Sequence, residues 1–104
     1  MDAPDEVIHQ SLRLRIMATL NALPKTEKTE FTRIRAILGA SDGNLGAHLA
    51  TLEGAGYVTV EKDFVARKPR TRIAITAKGR NAFARHVTYL RALLDDPPTS
   101  LVAE

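Results

Sequence analysis

The stretch from Ser41 to Tyr57, SDGNLGAHLATLEGAGY, combines a helical apolar pattern with short polar side chains that could contact nucleic-acid bases. Leu45, Leu49 and Leu52 recur at the spacing of one buried helix face. The opposite face then carries small or polar residues, and asparagine and threonine are types that bind adenine edges and thymine methyl groups. The residues predicted to face outward are Ser41, Asp42, Asn44, Ala47, His48 and Thr51.

The same stretch contains glycines at positions 43, 46 and 54. An interior glycine destabilises a helix by about 1 kcal/mol relative to alanine. We interpret these glycines as a way to keep the helix surface low, so that a large partner can approach its backbone. Asp42 fits this interpretation less simply, because a carboxylate repels phosphate. It could accept a hydrogen bond from a cytosine amine, or it could stabilise the positive end of the helix dipole.

A second candidate region is strongly basic. Residues 58–80 hold seven Lys or Arg against two acidic residues, a net charge of +5, whereas the rest of the chain sums to −2. Such a concentration on a nearly neutral body predicts a polyanionic partner. Lys62 is the weaker candidate because Glu61 and Asp63 flank it. The residues predicted to bind phosphate or the minor groove are Arg67, Lys68, Arg70 and Arg72.

The elements that must position these residues follow from periodicity and capping signals. Ser41 and Thr76 are suited to cap the helices that follow them. In TRIAI, Ile73 and Ile75 share one strand face, and the arginines point away from it. The segment KDFVARKPR, residues 62–70, predicts a long basic loop between two strands, and KTEKTE predicts a polar connector. The predicted helices are 7–23, 31–38, 42–55 and 77–94.

This order predicts an α+β, mainly α, winged helix-turn-helix with three helices, a two-stranded wing and a C-terminal helix. The 104 residues suit one domain, which we place at residues 7–94. Residues 1–6 are predicted to be an N-terminal tail, and residues 95–104 a flexible C-terminal tail.

Three segments together carry a family resemblance: IHQSLRLRIMATL, FTRIRAILGASDGNLGAHLATLEGAGYVTVEK and RKPRTRIAITAKGR. They resemble the compact winged-helix transcriptional regulators related to MarR and ArsR. The resemblance implies a homodimeric, sequence-specific regulator that binds palindromic double-stranded DNA. It places residues 42–55 in the major groove and a basic wing, about residues 62–72, on the backbone or in the minor groove. The chain has no cysteine, so the metal sensing of ArsR relatives is not expected.

The final predicted helix carries two adjacent apolar stripes, which is more than one domain face requires. One stripe is therefore predicted to pack on the core and the other on a second copy of the chain. The residues placed nearest this dimer interface are His86, Tyr89 and Leu93. His86 has a second interpretation, as a buried and hydrogen-bonded residue of a single chain.

Other function classes find little support. There is no G-x-S-x-G, no P-loop lysine motif and no metal-ligand spacing of histidines, so no enzyme, cofactor or metal is expected. No apolar run approaches the length that spans a bilayer, and the acidic start lacks signal-peptide features, so the prediction is a cytoplasmic protein. The alternative function is a winged-helix protein–protein interaction module without DNA binding, which the basic wing disfavours.

Overall fold

The computed structural model describes residues 3–25 and 27–96, and it contains four helices and a three-stranded antiparallel sheet within those ranges. This architecture confirms the predicted α+β winged helix-turn-helix. Most of the predicted C-terminal tail lies outside the described residues. The elements are α1 (Ser11–Asn21), β1 (Thr29–Glu30), α2 (Phe31–Leu38), α3 (Asp42–Gly54), β2 (Val58–Val65), β3 (Lys68–Ile75) and α4 (Ala77–Asp95).

The first helix is shorter than the predicted 7–23. The Asp5 carboxylate accepts hydrogen bonds from the backbone N–H groups of Val7 and Ile8 and holds them in a turn before the helix. The Gln10 side chain accepts from the Arg13 N–H and so caps α1 at residue 11. Ile8 is nevertheless fully buried, which explains why its spacing resembled that of a helix residue.

Helices α2 and α3 form the helix-turn-helix, and local signals fix their ends. Gly39 ends α2 in the left-handed conformation at φ +63°. The Ser41 hydroxyl then accepts from the Asn44 N–H, which confirms the predicted cap of α3. At the other end of α3 the N–H of Gly56, at φ +80°, donates to the carbonyl of Glu53. The chain therefore reverses direction sharply into β2.

The sheet has the order β1-β3-β2, and its hairpin differs from the prediction. β2 and β3 pair along their whole length around a two-residue turn, Ala66 and Arg67, so the long loop predicted at 62–70 is wrong. Pro69 does not interrupt β3, because it lies beyond the part of β3 that β1 pairs with and needs no partner there. β1 lies within the predicted polar connector and was missed.

One core unites these elements, and side chains from α1, α2, α3 and the sheet fill it. The α4 helix joins it at a close approach of two backbones, because a Cβ on Gly79 would lie 2.1 Å from the carbonyl oxygen of Tyr57. The core thus holds α3 and the β2–β3 hairpin on one frame. Its largest fully buried apolar residues are Ile8, Ile16, Met17, Leu20, Ile34, Leu45, Leu52 and Ile73.

Candidate nucleic-acid interface

Burial of one face of α3 decides which of its residues reach solvent. Leu45, Leu49 and Leu52 are buried in the core, as predicted. The polar and small residues between them therefore point away from the protein. Of the residues predicted to contact DNA, His48 is half-buried, and the exposed ones are Ser41, Asp42, Asn44, Ala47 and Thr51.

The glycines of α3 have no packing role within the described part of the chain. A Cβ built on Gly43, Gly46 or Gly54 would meet no atom within 4 Å. Internal sterics therefore do not require glycine at these positions, although helix propensity favours alanine there. A requirement for glycine must come from outside the protein.

Asp42 is neutralised by a neighbouring helix. Its carboxylate lies 2.5 Å from the Arg35 guanidinium, so an ion pair ties the start of α3 to α2. This ion pair occupies one nitrogen of the Arg35 guanidinium. The pair also reduces the repulsion that the Asp42 carboxylate would exert on a phosphate.

His48 is oriented by an arginine from α1. The Arg13 Nη1 lies 3.0 Å from the His48 Nδ1. A guanidinium can only donate, so Nδ1 accepts and the ring proton of the neutral imidazole is on Nε2. Within the described residues Nε2 makes no hydrogen bond, and it is not among the buried unpaired atoms. His48 therefore offers an N–H donor at the flank of α3.

Cross-strand ion pairs occupy the outer face of the β2–β3 hairpin. The Arg70 guanidinium donates twice to the Asp63 carboxylate, at 3.0 and 2.7 Å. Arg72 lies 3.6 Å from Glu61 and 3.4 Å from Asp63, and Lys28 pairs with Glu61. The predicted outward direction of both arginines is found, but each already has an acidic partner.

These ion pairs shift the ionisation of the two carboxyl groups. The hydrogen bond from Arg70 lowers the pKa of Asp63, and the hydrogen bond from Lys28 lowers the pKa of Glu61. The same contact with Asp63 raises the pKa of Arg70. Both acids are therefore ionised at neutral pH, and a phosphate would have to compete with them for Arg70 and Arg72.

The inner face of the hairpin points toward α3 and includes Lys62. Strand alternation places Val58, Val60, Lys62 and Phe64 on this face. Lys62 was rated below Arg70 and Arg72 because acidic neighbours flank it, yet those neighbours lie on the opposite face. Alternation in VTVEKDFV was the signal that could have separated them.

A groove separates α3 from this inner face. Its volume is about 440 Å³, and its floor is apolar. The glycine and alanine positions of α3 form one wall, and the β2–β3 face forms the other. Six of the residues that line it are Gly46, Ala50, Glu53, Val60, Lys62 and Thr71.

The hairpin turn is conformationally strained. Ala66 has φ +51° and Arg67 has φ +67°, a region in which residues other than glycine are disfavoured. Two-residue hairpin turns of this kind favour Asn-Gly. An arginine here lies at the very end of the hairpin and is exposed, as is Lys68. Neither residue forms an ion pair within residues 3–25 and 27–96.

The residues predicted for a dimer interface differ in accessibility. His86 is 1% exposed in a single chain, because its Nδ1 accepts from the Asp5 N–H and its ring stacks on Tyr89. Asp5, from the predicted N-terminal tail, also accepts from the Tyr57 hydroxyl at 2.6 Å. Tyr89 is partly exposed and Leu93 is 38% exposed, so these two are the members that a second chain could reach.

Two other kinds of site are absent from residues 3–25 and 27–96. No group of three or more His, Asp or Glu side chains is arranged to hold a metal ion there. In the same ranges no helix is both long and apolar enough to cross a membrane.

Comparison with known proteins identifies the family. A family model described as a winged helix DNA-binding domain matches residues 12–94. The chain belongs to this family. This winged helix domain is 35% identical over 82 residues to an uncharacterised protein of Methanocaldococcus jannaschii, a match covering 79% of this chain and 86% of that protein.

Solved structures share the winged helix fold. A transcriptional regulator homologue from Pyrococcus horikoshii OT3 has a TM-score of 0.78 at 32% identity, covering 88% of this chain and 87% of that chain. A MarR-family protein from Porphyromonas gingivalis W83 has a TM-score of 0.65 at 16% identity, covering 94% and 100%. The predicted resemblance to winged-helix transcriptional regulators is confirmed. The family model describes a DNA-binding domain, and these two neighbours are named as transcriptional regulators, which agrees with the expectation that the chain is not an enzyme.

Proposed function

We propose that this winged helix domain is a sequence-specific DNA-binding transcriptional regulator. In this proposal α3 enters the major groove, and the tip of the β2–β3 hairpin follows the backbone or enters the minor groove. The observation that carries it is the exposed, glycine-bearing face of α3 beside a hairpin with exposed cations. Direct approach of a duplex to α3 gives a reason for Gly43 and Gly46, which the packing of the chain does not provide.

The contacts divide into two kinds. Arg67, Lys68 and Lys62 are exposed cations suited to phosphate, whereas Asn44 and Thr51 are exposed side chains suited to base edges. Arg70 and Arg72 remain candidates for phosphate contact, but they must then share their guanidinium groups with Asp63 and Glu61.

His48 extends the proposal to particular base atoms. Because Arg13 fixes Nε2 as the donor, His48 is suited to acceptors such as guanine N7 and O6 or thymine O4, and not to the amino group of cytosine. A contact to guanine N7 predicts that replacing the guanines of a selected binding site one at a time by 7-deazaguanine, which lacks N7, weakens binding at one position. The His48→Ala variant should bind the site with that replacement as tightly as it binds the unmodified site.

We further propose that two copies bind a palindromic site, with Tyr89 and Leu93 at the contact between them. Partly exposed apolar residues near the end of α4 support this arrangement. As a regulator of transcription the domain would act in the cytoplasm. Sedimentation measurements of the chain alone should give the mass of a dimer, and Leu93→Lys should give that of a monomer.

The decisive experiment is selection of bound sequences from a random DNA duplex pool, followed by fluorescence anisotropy at several salt concentrations. DNA binding through phosphate contacts predicts that log K falls with log salt by about 0.9 per neutralised phosphate. Arg67→Ala should lower affinity equally for all sequences. It should also reduce the magnitude of that slope by about 0.9, the contribution of one phosphate contact. Asn44→Ala should instead change the preferred base pair, by about 1–3 kcal/mol.

Two outcomes would contradict the proposal. Binding that is absent near 50 mM salt, or that does not depend on salt, would favour the protein–protein interaction module. A selected pool with no common sequence would leave DNA binding in place but remove sequence specificity.

A further inference from the structure

The hairpin exposes a large aromatic side chain to solvent. Of the five Phe and Tyr residues in the chain, all of which the structure describes, only Phe64 is exposed, and its exposed fraction is 73%. A single exposed apolar residue is common on protein surfaces and by itself indicates nothing. The position of Phe64 relative to α3 and to the cations is what makes it informative.

Phe64 lies on the face of the hairpin that points toward α3. The register pairs Phe64 with Pro69 and Lys62 with Thr71, so these side chains share one face with Val60 and the groove. Phe64 is four positions after Val60 along an extended strand, a length of about 13 Å. Phe64 is therefore beyond the groove, near the tip, on the side that a duplex bound to α3 would occupy.

Exposed positive charge surrounds this ring. Lys62 precedes it on the same face, and Arg67 follows it at the turn, both exposed and without an ion pair among the described residues. The nearest carboxylate in sequence, Asp63, projects from the opposite face and is held by Arg70. An apolar ring between cations fits a polyanion that also offers apolar surface, as the sugars and bases of DNA do.

From this arrangement we infer that Phe64 is an apolar DNA contact, which packs against the sugars and bases of the groove that the hairpin tip enters. The inference rests on the proposed function. It differs from a phosphate contact because the ring neutralises no charge. The ring instead buries apolar surface on binding, and it makes the protein prefer base steps that widen or unstack easily.

The experiment measures DNA affinity against salt for the full chain and for two variants that change neighbouring positions of β2. Phe64→Ala should lower affinity about ten- to a hundred-fold, the range expected for losing the burial of one aromatic side chain. The slope of log K against log salt should not change, because no phosphate contact is lost. The heat capacity change of binding should become less negative.

Val65→Ala is the matched control. Val65 is 48% exposed and adjacent in sequence, but it faces away from α3. The Val65→Ala variant should therefore bind DNA with unchanged affinity. Circular dichroism melting should show that both variants remain folded, since neither side chain is part of the core.

The possible results separate the inference from the proposed function. If the unaltered chain binds no DNA, the proposed function fails and the inference fails with it. If the unaltered chain binds DNA but Phe64→Ala binds equally well, only the inference is overturned. It is also overturned if both variants lose the same affinity, or if Phe64→Ala leaves DNA binding intact but changes the sedimenting mass, which would assign the ring to a contact with a second copy.

Discussion

Alanine at Gly46 should stabilise the protein and weaken its binding to DNA. Gly46 is an interior residue of α3 and lines the groove that faces the hairpin. A Cβ there meets no protein atom within 4 Å, so no clash opposes the substitution. The gain in helix propensity is about 0.8–1.0 kcal/mol in the free energy of unfolding. For a domain of this size that gain raises Tm by about 4–8 °C.

The methyl group of alanine at position 46 would project into the groove between α3 and the hairpin. If the groove beside α3 receives DNA, the added Cβ separates the two surfaces, and we expect about a ten-fold loss of affinity, or about 1.4 kcal/mol. Calorimetric melting would measure the first effect, and fluorescence anisotropy with a selected duplex the second. A higher Tm with a lower DNA affinity distinguishes this steric effect from general destabilisation, which lowers both Tm and DNA affinity.

Thr88→Ala provides the control for Gly46→Ala. Thr88 is exposed on α4, and alanine raises helix propensity there without touching α3. It should raise Tm and leave DNA affinity unchanged. A Gly46→Ala protein that is stabilised and still binds DNA with unaltered affinity would refute the idea that glycine is retained for close approach. A Gly46→Ala protein that is not stabilised would refute the conclusion that the protein has room for a side chain at position 46.

Four further predictions concern stability. Gly79→Ala should destabilise the protein by several kcal/mol, since its Cβ would lie 2.1 Å from the Tyr57 carbonyl oxygen, and chemical unfolding should show a large fall in the denaturant midpoint. Ala66→Gly should stabilise the hairpin by about 1 kcal/mol by relieving the positive φ, and an unchanged Tm would contradict the strain. Burial, and to a lesser extent His9, lower the pKa of His86, so the folded state prefers the neutral ring, and stability should fall as pH drops below about 6.5. Urea unfolding between pH 5 and 8 should show a weaker fall for His86→Gln. Burial and the bond to Asp5 raise the pKa of Tyr57 to about 12, so stability should also fall above pH 10, less so in Tyr57→Phe.

Features that depend on a few consecutive residues were predictable from the sequence. The leucine spacing of α3 identified its buried face, and the hydroxyls of Ser41 and Thr76 identified two helix starts, where each accepts from an N–H three residues ahead. These signals act within one or two helical turns. The winged helix order followed from them, because short connections leave few ways to arrange the elements.

Features that depend on contacts between distant residues were not predictable. Asp5 was assigned to a tail, but its partners Tyr57 and His86 lie 52 and 81 residues away. β1 has only two residues, too few for a strand pattern, and it exists because β3 pairs with it.

The same distinction applies to the candidate interface. The sequence by itself determined that α3 has an exposed face of small and polar residues and that the next segment is cationic, because composition and periodicity are local properties. Only the tertiary structure decided which cations remain available. The two-residue turn sets the register of β2 and β3, and that register puts Glu61 opposite Arg72 and Asp63 opposite Arg70. It also turns Lys62 and Phe64 toward α3, because a strand directs alternate side chains to opposite faces.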